Sequence, residues 1–384
     1  MISKRILQLE ASSTAEINKR VLELRQQGAS VISFGIGEPN FNVPQEVKDA
    51  VKKAVDENFS KYTAGDGTPE LKKAIIEKLK TENNIEYAEK NIIASAGAKQ
   101  CIYNAFQALL NPGDEVILST PYWVSYPAQI GLAGGVPVYA ATGKDFVLRA
   151  EFLEPLISEK TKVIVLNSPN NPTGAVIPKE DLLKIARLAI AKNIFIISDE
   201  VYEYFVYGAE HTSIASLSEE IKNRTLTINA LSKSFAMTGW RLGYAAGPEE
   251  IVAGMKKLQE QSTSNPCGLA QKAATTALNL GKSRVKDVVD DFKDKRDFVC
   301  GFLEALGIDF VLPSGAFYVF FDVSKYFKGE INSSVDFCKK LLERSGVALM
   351  PGVSFGEDNY VRLSYAVDIK DLEEGMKRIK DYLA

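Results

Sequence analysis

The sequence has very little histidine, no long apolar run and almost no excess of charge. His211 is the only histidine among 384 residues, which excludes a histidine-rich zinc site and any catalytic triad that takes its histidine from elsewhere in the chain. We expect His211 to lie at the surface and expect no bound metal ion. The formal net charge of −3 provides no basic surface for nucleic acid, so a small-molecule ligand is expected.

Cysteine is also sparse, and its spacing carries no motif. The four cysteines are far apart in the chain and form no CxxC pair: Cys101, Cys267, Cys300 and Cys338. We therefore predict small buried hydrophobic side chains and no disulfide. The first residues lack the apolar stretch of a signal peptide, and no segment reaches membrane-spanning length. A cytoplasmic protein is expected.

A regular alternation of short apolar runs and amphipathic stretches fills residues 70–250. This alternation is typical of an α/β fold. The predicted strands are 91–95, 115–119, 162–167, 194–198, 225–230 and 243–246. We expect a mostly parallel, mixed central sheet sandwiched by helices.

The chain changes in character near residue 285. A charged helix is predicted over 285–306, followed by strands at 309–311, 316–322 and 360–364. This pattern indicates a smaller α+β domain, which an N-terminal helix over 14–27 and the segment 32–34 are expected to join. The predicted division is 1–45 as an N-terminal part of the small domain, 46–285 as the large domain and 286–384 as the C-terminal part of the small domain.

Polar, Gly- and Pro-rich segments follow five of the predicted strands. They are 96–99 (AGAK), 121–123 (PYW), 168–174 (SPNNPTG), 199–202 (DEVY) and 231–234 (LSKS). Open α/β sheets bind ligands beyond the carboxyl ends of their strands. The sequence therefore predicts one crevice where five loops meet.

Two ionisable residues in these loops are candidates for chemical roles. Lys233 lies between two serines and shortly before Arg241, and a desolvated lysine near a cation serves as a nucleophile or forms a Schiff base with a carbonyl group. Asp199 ends an apolar strand, so a buried carboxylate there needs a partner. A helix N-cap is the alternative interpretation of Asp199.

A third set of residues has the properties of an anion site. Gly97 begins a predicted helix over 98–110, and free N–H groups at a helix start bind phosphate. Arg241 and the hydroxyl of Ser232 could complete a phosphate site. Trp123 or Tyr122 could offer an aromatic face to a flat ring, although either could equally be a packing residue.

Several segments together resemble fold-type I, class I aminotransferases, and specifically the prokaryotic aspartate aminotransferase branch. The most specific is 232–244 (SKSFAMTGWRLGY), which is similar to the family's cofactor-attachment signature. Segments 61–67 (KYTAGDG), 170–174 (NNPTG) and 198–202 (SDEVY) match in the family's order. The resemblance covers nearly the whole chain and implies pyridoxal 5′-phosphate as cofactor.

The resemblance implies a role for each matching residue. Lys233 would carry the cofactor as a Schiff base and move the proton between the substrate Cα and the cofactor, while Asp199 would pair with the pyridine nitrogen. Asn171 and Tyr202 would bond the phenolic oxygen, and Trp123 would stack on the ring. The implied phosphate contacts are Gly97, Ala98, Ser232, Arg241 and, from the neighbouring subunit of a homodimer, Tyr62.

Substrate contacts follow from the same resemblance. Arg362 would grip the α-carboxylate through its rigid fork, and the backbone of Gly37 would approach that carboxylate. Lys99, Ser12 and Thr14 match the residues that meet the distal group of a dicarboxylate, so aspartate or glutamate is the expected amino donor and a 2-oxo acid the acceptor.

Other activities share this scaffold. The branch includes prephenate aminotransferases, but many members have Lys-Pro where this chain has Glu10-Ala11, which disfavours prephenate. A broad or aromatic specificity and a carbon–sulfur lyase are the alternatives, because Lys233 and Asp199 would serve any of these reactions. A non-enzymatic sensor would need a separate DNA-binding domain, for which the match beginning near residue 5 leaves no room.

Overall fold

The computed structural model describes residues 1–7, 9 and 13–384. Its helices are α1 (Lys4–Leu7), α2 (Ser13–Gln26), α3 (Gln45–Asp56), α4 (Pro69–Asn83), α5 (Ala98–Leu109), α6 (Ser125–Leu132), α7 (Ala150–Leu153), α8 (Lys179–Ala191), α9 (Glu219–Lys222), α10 (Leu231–Ser234), α11 (Glu249–Glu260), α12 (Gly268–Leu280), α13 (Lys286–Ala305), α14 (Ser334–Ser345) and α15 (Ile369–Leu383). Its strands are β1 (Ile32–Ser33), β2 (Ile92–Ser95), β3 (Glu115–Thr120), β4 (Val136–Ala141), β5 (Thr161–Asn167), β6 (Phe195–Asp199), β7 (Thr225–Ala230), β8 (Gly243–Ala246), β9 (Tyr318–Asp322), β10 (Val347–Ala348), β11 (Met350–Pro351) and β12 (Tyr360–Ser364).

Seven strands form the central sheet in the order β2-β8-β7-β6-β5-β3-β4. Strands β4, β3, β5, β6 and β7 run parallel, whereas β8 is antiparallel to both of its neighbours. Alternate residues of β5 enter opposite apolar clusters, with Val163 and Val165 on one face and Ile164 and Leu166 on the other. The expected mixed sheet with helices on both faces is confirmed.

The six predicted strands of this sheet are all present, but β4 was not predicted. Its sequence, VPVYAA, is half exposed, and it pairs with β3 alone at the sheet edge. Pro137 cannot donate a ladder hydrogen bond, so it is tolerated only at such an edge. Strands that are buried on both faces carry continuous apolar runs, which can be recognised in the sequence. A half-exposed edge strand such as β4 has no such run.

Local signals explain why some helices begin and end where they do. In α4, the Thr68 side chain accepts a hydrogen bond from the Leu71 amide, Pro69 occupies the first turn and Asn84 ends the helix in a left-handed conformation. A hydroxyl cap, an early proline and a left-handed Asn or Gly are the usual bounds of a helix. These signals fix both ends of α4.

The C-terminal region forms a separate three-stranded antiparallel sheet in the order β11-β12-β9. Strand β1, from the N-terminal segment, pairs in parallel with β10, and Phe34 lies in the same apolar cluster as residues of α13, α14 and α15. This pairing supports the proposed division into residues 1–45, 46–285 and 286–384. The predicted strand at 309–311 is wrong: only Phe310 forms an isolated bridge, to Phe321.

Two expectations about single side chains were also wrong. The His211 side chain is only 9% exposed and its Nε2 lies 3.2 Å from Glu200 Oε2, so the ring is largely covered and packs against a carboxylate. Cys267 is exposed, although the other three cysteines are buried and all four are free thiols. Within the described ranges, no helix is both long and apolar enough to cross a membrane.

A buried ion pair ties α4 to the loop that follows β6. Lys78 pairs with Glu203, and their side chains are 2% and 8% exposed. Glu203 also accepts hydrogen bonds from Asn83 at 2.7 Å and from Asn229 at 2.6 Å. Burial would raise the pKa of Glu203, but Lys78 and the hydrogen bonds hold that pKa below its usual value. Because Asn229 lies near the end of β7, this pair also supports the segment that carries Lys233.

Lys78→Met is expected to destabilise the fold by about 3–5 kcal/mol, because it leaves the Glu203 carboxylate buried without its cation. Denaturant unfolding would measure the change. Lys80→Met is the matched control, since Lys80 lies on the same helix and its ion pair with Glu86 is exposed at 59% and 78%. Equal losses in the two variants would contradict the structural role of the buried pair.

Candidate active site

A cavity of about 510 Å³ opens beyond the carboxyl ends of the parallel strands. Loops after β2, β3, β5, β6 and β7 meet there, together with the N-terminal segment and β12. Eleven of the site residues predicted from the sequence line it: Gly37, Ala98, Lys99, Trp123, Asn171, Asp199, Tyr202, Ser232, Lys233, Arg241 and Arg362.

The remaining predicted residues are placed differently. Gly97 adjoins the cavity through its contact with Arg241. Tyr62 is 88% exposed and borders a second cavity, at residues 59–62 and 263–269. Ser12 lies outside the described residues, and so does the side chain of Thr14, although Thr14 itself belongs to α2.

Lys233 lies in α10, the single turn that follows β7. Its ammonium nitrogen donates to the carbonyl of Gly37 at 2.5 Å. Burial and, next, the nearby charge of Arg362 lower the pKa of Lys233 to about 8, against an opposing effect of Glu38. The neutral form of this amine, which a nucleophilic lysine requires, is therefore more populated near physiological pH than in an ordinary lysine.

Asp199 is the last residue of β6 and is 4% exposed. Tyr126 donates to its Oδ2 at 2.7 Å, and the Val201 amide makes a long contact of 3.4 Å with Oδ1. Burial raises the pKa of Asp199 to about 6, although the Tyr126 hydrogen bond opposes this shift. The N-cap interpretation is wrong, because the segment after Asp199 forms turns and not a helix.

Arg241 and Gly97 together form a small concave surface at the start of α5. Arg241 adopts a left-handed conformation with φ 55°, and its guanidinium donates to the carbonyls of Thr238 at 2.8 Å and Ala96 at 3.2 Å. Gly97 has φ +88°, and a Cβ there would lie 2.5 Å from the Arg241 guanidinium. Only glycine leaves this space open beside the free N–H groups of a helix start, where anions bind.

Arg362 comes from β12 and is 7% exposed. Its guanidinium donates to Asn171 Oδ1 at 2.9 Å and to the Gly35 carbonyl at 2.6 Å. The buried Nε has no hydrogen-bond partner among the described residues. Burial lowers the pKa of Arg362 from its usual value, so a buried cation with unused donor capacity faces the cavity. Such a group favours an incoming carboxylate.

The aromatic side chains after β3 separate into two environments. Trp123 lines the cavity, packs edge-on against Tyr126 at 5.2 Å and lies 5.0 Å below the ammonium group of Lys99. Burial and the charge of Arg241 lower the pKa of Lys99. Tyr122 instead stacks on Tyr139 at 5.2 Å and is not among the residues that line the cavity.

Among the residues that line or support the cavity but were not predicted from the sequence, Tyr318, Tyr126 and Asn18 are notable for their polar groups. The Tyr318 hydroxyl lies 2.8 Å from that of Tyr202, and Tyr126 donates to Asp199. Asn18 presents a buried Oδ1 that has no hydrogen-bond partner among the described residues. Tyr126 follows Trp123 by one helical turn, a spacing that could have indicated it. Tyr318 had no local signal, because its place depends on the register of β9 against β12.

Comparison with known proteins identifies the class that this fold and site define. The family model of aminotransferase class I and II matches residues 29–379. The chain therefore belongs to that family, whose members are pyridoxal phosphate enzymes.

Individual relatives are similar over their full lengths. An aspartate aminotransferase of Bacillus sp. (strain YM-2) is 44% identical, with 100% of this chain and 99% of the relative covered. A probable aspartate/prephenate aminotransferase of Aquifex aeolicus is 46% identical, with 100% and 98% covered. The structure of a Thermus thermophilus aspartate aminotransferase double mutant is 41% identical, covers 99% of each chain and has a TM-score of 0.95.

The lowered pKa of Lys233 can be tested without any cofactor. Neutral amines react with aldehydes, so reductive alkylation of Lys233 in cofactor-free protein should reach half of its maximal rate near pH 8. Surface lysines should do so near their ordinary pKa of about 10.4. Residue-resolved mass spectrometry over a pH series would measure both. A midpoint for Lys233 as high as that of surface lysines would contradict its desolvation.

Proposed function

We propose that this protein is a pyridoxal-phosphate-dependent aminotransferase. It exchanges the amino group of an L-amino acid, foremost aspartate or glutamate, for the oxygen of a 2-oxo acid such as 2-oxoglutarate or oxaloacetate in a ping-pong sequence. The observation that carries the proposal is the meeting of a partly neutral lysine, Lys233, with a buried carboxylate, Asp199, and a buried cation, Arg362, in one cavity.

The residues of the cavity fit the cofactor that the family uses. Asp199 is a buried carboxylate whose donors are neutral, and a protonated pyridine nitrogen would supply the missing positive partner. The phosphate would be held where the space at Gly97 stays open. The residues proposed to hold the phosphate are Gly97, Ala98, Ser232 and Arg241. Trp123 would stack on the ring, and Asn171 and Tyr202 would meet its phenolic oxygen.

When bound, the cofactor supplies an electron sink for the bond broken at the substrate Cα. The protein's own part begins with Lys233, which binds the cofactor through its amine and then, once freed, takes the proton from Cα. Its lowered pKa suits this work, because a base is most effective when its pKa is near the operating pH. Asp199 would pair with the protonated pyridine nitrogen, and Tyr126 holds that carboxylate in place through its hydrogen bond.

Arg362 orients the substrate. The planar guanidinium can form two parallel hydrogen bonds with a carboxylate, and its contacts with Asn171 and Gly35 fix the direction in which it points. Gly37 borders the same space, so its backbone can approach the carboxylate. With the carboxylate fixed, the Cα proton of an L-amino acid can face Lys233.

The preference for a dicarboxylate rests on Lys99. This lysine lines the cavity and lies against Trp123, where it could meet a distal carboxylate. Ser12 and Thr14 are proposed to assist it, as the sequence resemblance implies. The relatives named aspartate/prephenate aminotransferases make prephenate the second candidate amino acceptor.

A half-reaction panel tests this function. Aspartate and glutamate should each convert the cofactor of the holoenzyme to its amine form and yield the corresponding 2-oxo acid, followed by absorbance and product analysis. Lys233→Ala should lack the absorption band of the lysine-bound cofactor and lose about 10²-fold or more in rate. Lys99→Met should slow the reaction with aspartate more than that with alanine, which has no distal carboxylate.

Two results would contradict the proposal. A normal lysine-bound band in Lys233→Ala would remove Lys233 from its role. Release of a thiol or ammonia from sulfur-containing amino acids, without conversion of the cofactor by aspartate or glutamate, would favour a carbon–sulfur lyase.

We also propose a homodimer with shared active sites, in the cytoplasm. Tyr62 is 88% exposed and lies outside the cavity of its own chain, so its proposed contact with the phosphate requires a second chain. A large exposed aromatic side chain beside a surface cavity is typical of an interface.

Mixed dimers test whether the active sites are shared between the two subunits. In a hybrid of Tyr62→Ala with Lys233→Ala, one site carries both substitutions and the other carries neither. When equal amounts of the two variants exchange subunits at random, about a quarter of all active sites should carry neither substitution. Activity would be assayed at limiting cofactor. The separate variants at the same total concentration are the control, and no gain on mixing would show that Tyr62 does not act across subunits.

A further inference from the structure

Tyr318 lies at the floor of the cavity, where it contacts three groups that the proposed function uses. It is 1% exposed and lines the cavity. Its ring faces Arg362, its hydroxyl meets Tyr202, and the same hydroxyl lies against the backbone of Gly37. A phenol in this position touches both the carboxylate-binding side and the cofactor side of the cavity.

The first contact fixes the substrate-binding arginine. The Arg362 guanidinium lies 4.5 Å above the Tyr318 ring and 5.0 Å from the Phe355 ring. Two aromatic faces therefore hold it, and its hydrogen bonds to Asn171 and Gly35 set its rotation. Cation–π contacts of this kind are strongest where water is excluded.

The second contact sets the direction of a hydrogen bond. The two hydroxyls of Tyr202 and Tyr318 are 2.8 Å apart, and either atom could donate. The Arg362 guanidinium lies directly over the Tyr318 ring, and a cation this close to a phenol makes its O–H group a better donor. This position favours Tyr318 as the donor and Tyr202 as the acceptor of the hydrogen bond. The hydrogen of Tyr202 is then free to point into the cavity.

The third contact explains why residue 37 is glycine. A Cβ at Gly37 would lie 2.1 Å from the Tyr318 hydroxyl, so any larger residue would push the phenol away from Tyr202. The absence of a side chain at Gly37 keeps the backbone of the substrate site and the phenol in direct contact.

We propose that Tyr318 is a positioning residue that couples occupation of the carboxylate site at Arg362 to the hydrogen bond that Tyr202 donates into the cavity. This inference rests on the proposed function. A carboxylate bound to Arg362 neutralises the charge above the Tyr318 ring, which weakens Tyr318 as a donor and thereby weakens Tyr202 as a donor. Substrate binding would in this way raise the proton affinity of the lysine-bound cofactor.

Tyr318→Phe tests the coupling, because it removes one hydroxyl and keeps the ring beneath Arg362. The visible absorption of the holoenzyme would be titrated with pH, with and without maleate as a non-reacting dicarboxylate. In wild type, maleate should raise the pKa of the lysine-bound cofactor. In Tyr318→Phe that pKa should already be higher without maleate, by up to about one unit, and maleate should add less to it.

Affinity for maleate separates the role of the hydroxyl from that of the ring. Tyr318→Phe should change the maleate dissociation constant by less than about threefold, whereas Tyr318→Leu should weaken binding by about tenfold because the ring is lost. The matched control is Tyr365→Phe, which removes another buried hydroxyl from the same lobe, one that meets the Ala316 carbonyl at 3.4 Å and does not line the cavity.

The outcomes distinguish this inference from the proposed function. If wild type shows no lysine-bound band, the proposed function fails. If the band titrates and Tyr318→Phe matches both wild type and Tyr365→Phe with and without maleate, the coupling is overturned while the function stands. A shift in Tyr318→Phe alone supports the coupling.

Discussion

The guanidinium of Arg362 joins three parts of the chain that are far apart in sequence. It projects from β12 of the small sheet, donates to Asn171 in the loop after β5 of the large sheet, and donates to Gly35 beside β1. A buried cation must be paired or hydrogen-bonded, so these contacts hold the two sheets and the N-terminal segment in one arrangement around the cavity. The positions of the other groups depend on it.

Desolvation is the second constraint, and it acts on opposite charges in opposite directions. Burial lowers the pKa of Lys233 to about 8 and raises that of Asp199 to about 6. The pKa of each group is thereby brought closer to neutral pH, where a small change in the surroundings alters the protonation of the group. A positively charged ring near Asp199 would hold that carboxylate ionised. Burial of these charged groups is unfavourable for stability. It also brings their pKa values into the range that is useful for proton transfer.

Much of the fold and eleven of the residues that line the cavity could be predicted from the sequence, and the failures share a physical cause. Strands buried on both faces, such as β5 and β7, carry continuous apolar runs and were predicted to within a residue at their ends. The edge strand β4 has no such run. Tyr318 was missed because only the pairing of β9 with β12, in which it faces Ser364, places it beside Arg362. The register between two strands that are distant in the chain produces no local pattern, so it cannot be predicted from a single sequence.

In the proposed function, the chemistry and the choice of substrate depend on different parts of the structure. Lys233 and Asp199 stand at the ends of buried parallel strands, where neighbouring strands fix the backbone and motifs are easily recognised. Lys99 belongs to the first turn of α5, and Asn18 belongs to α2 from the N-terminal segment. Substitutions on these helices can alter the space for a side chain while β6, β7 and β12 stay unchanged. A shared catalytic set with variable specificity is the expected consequence of building the two functions on separate elements.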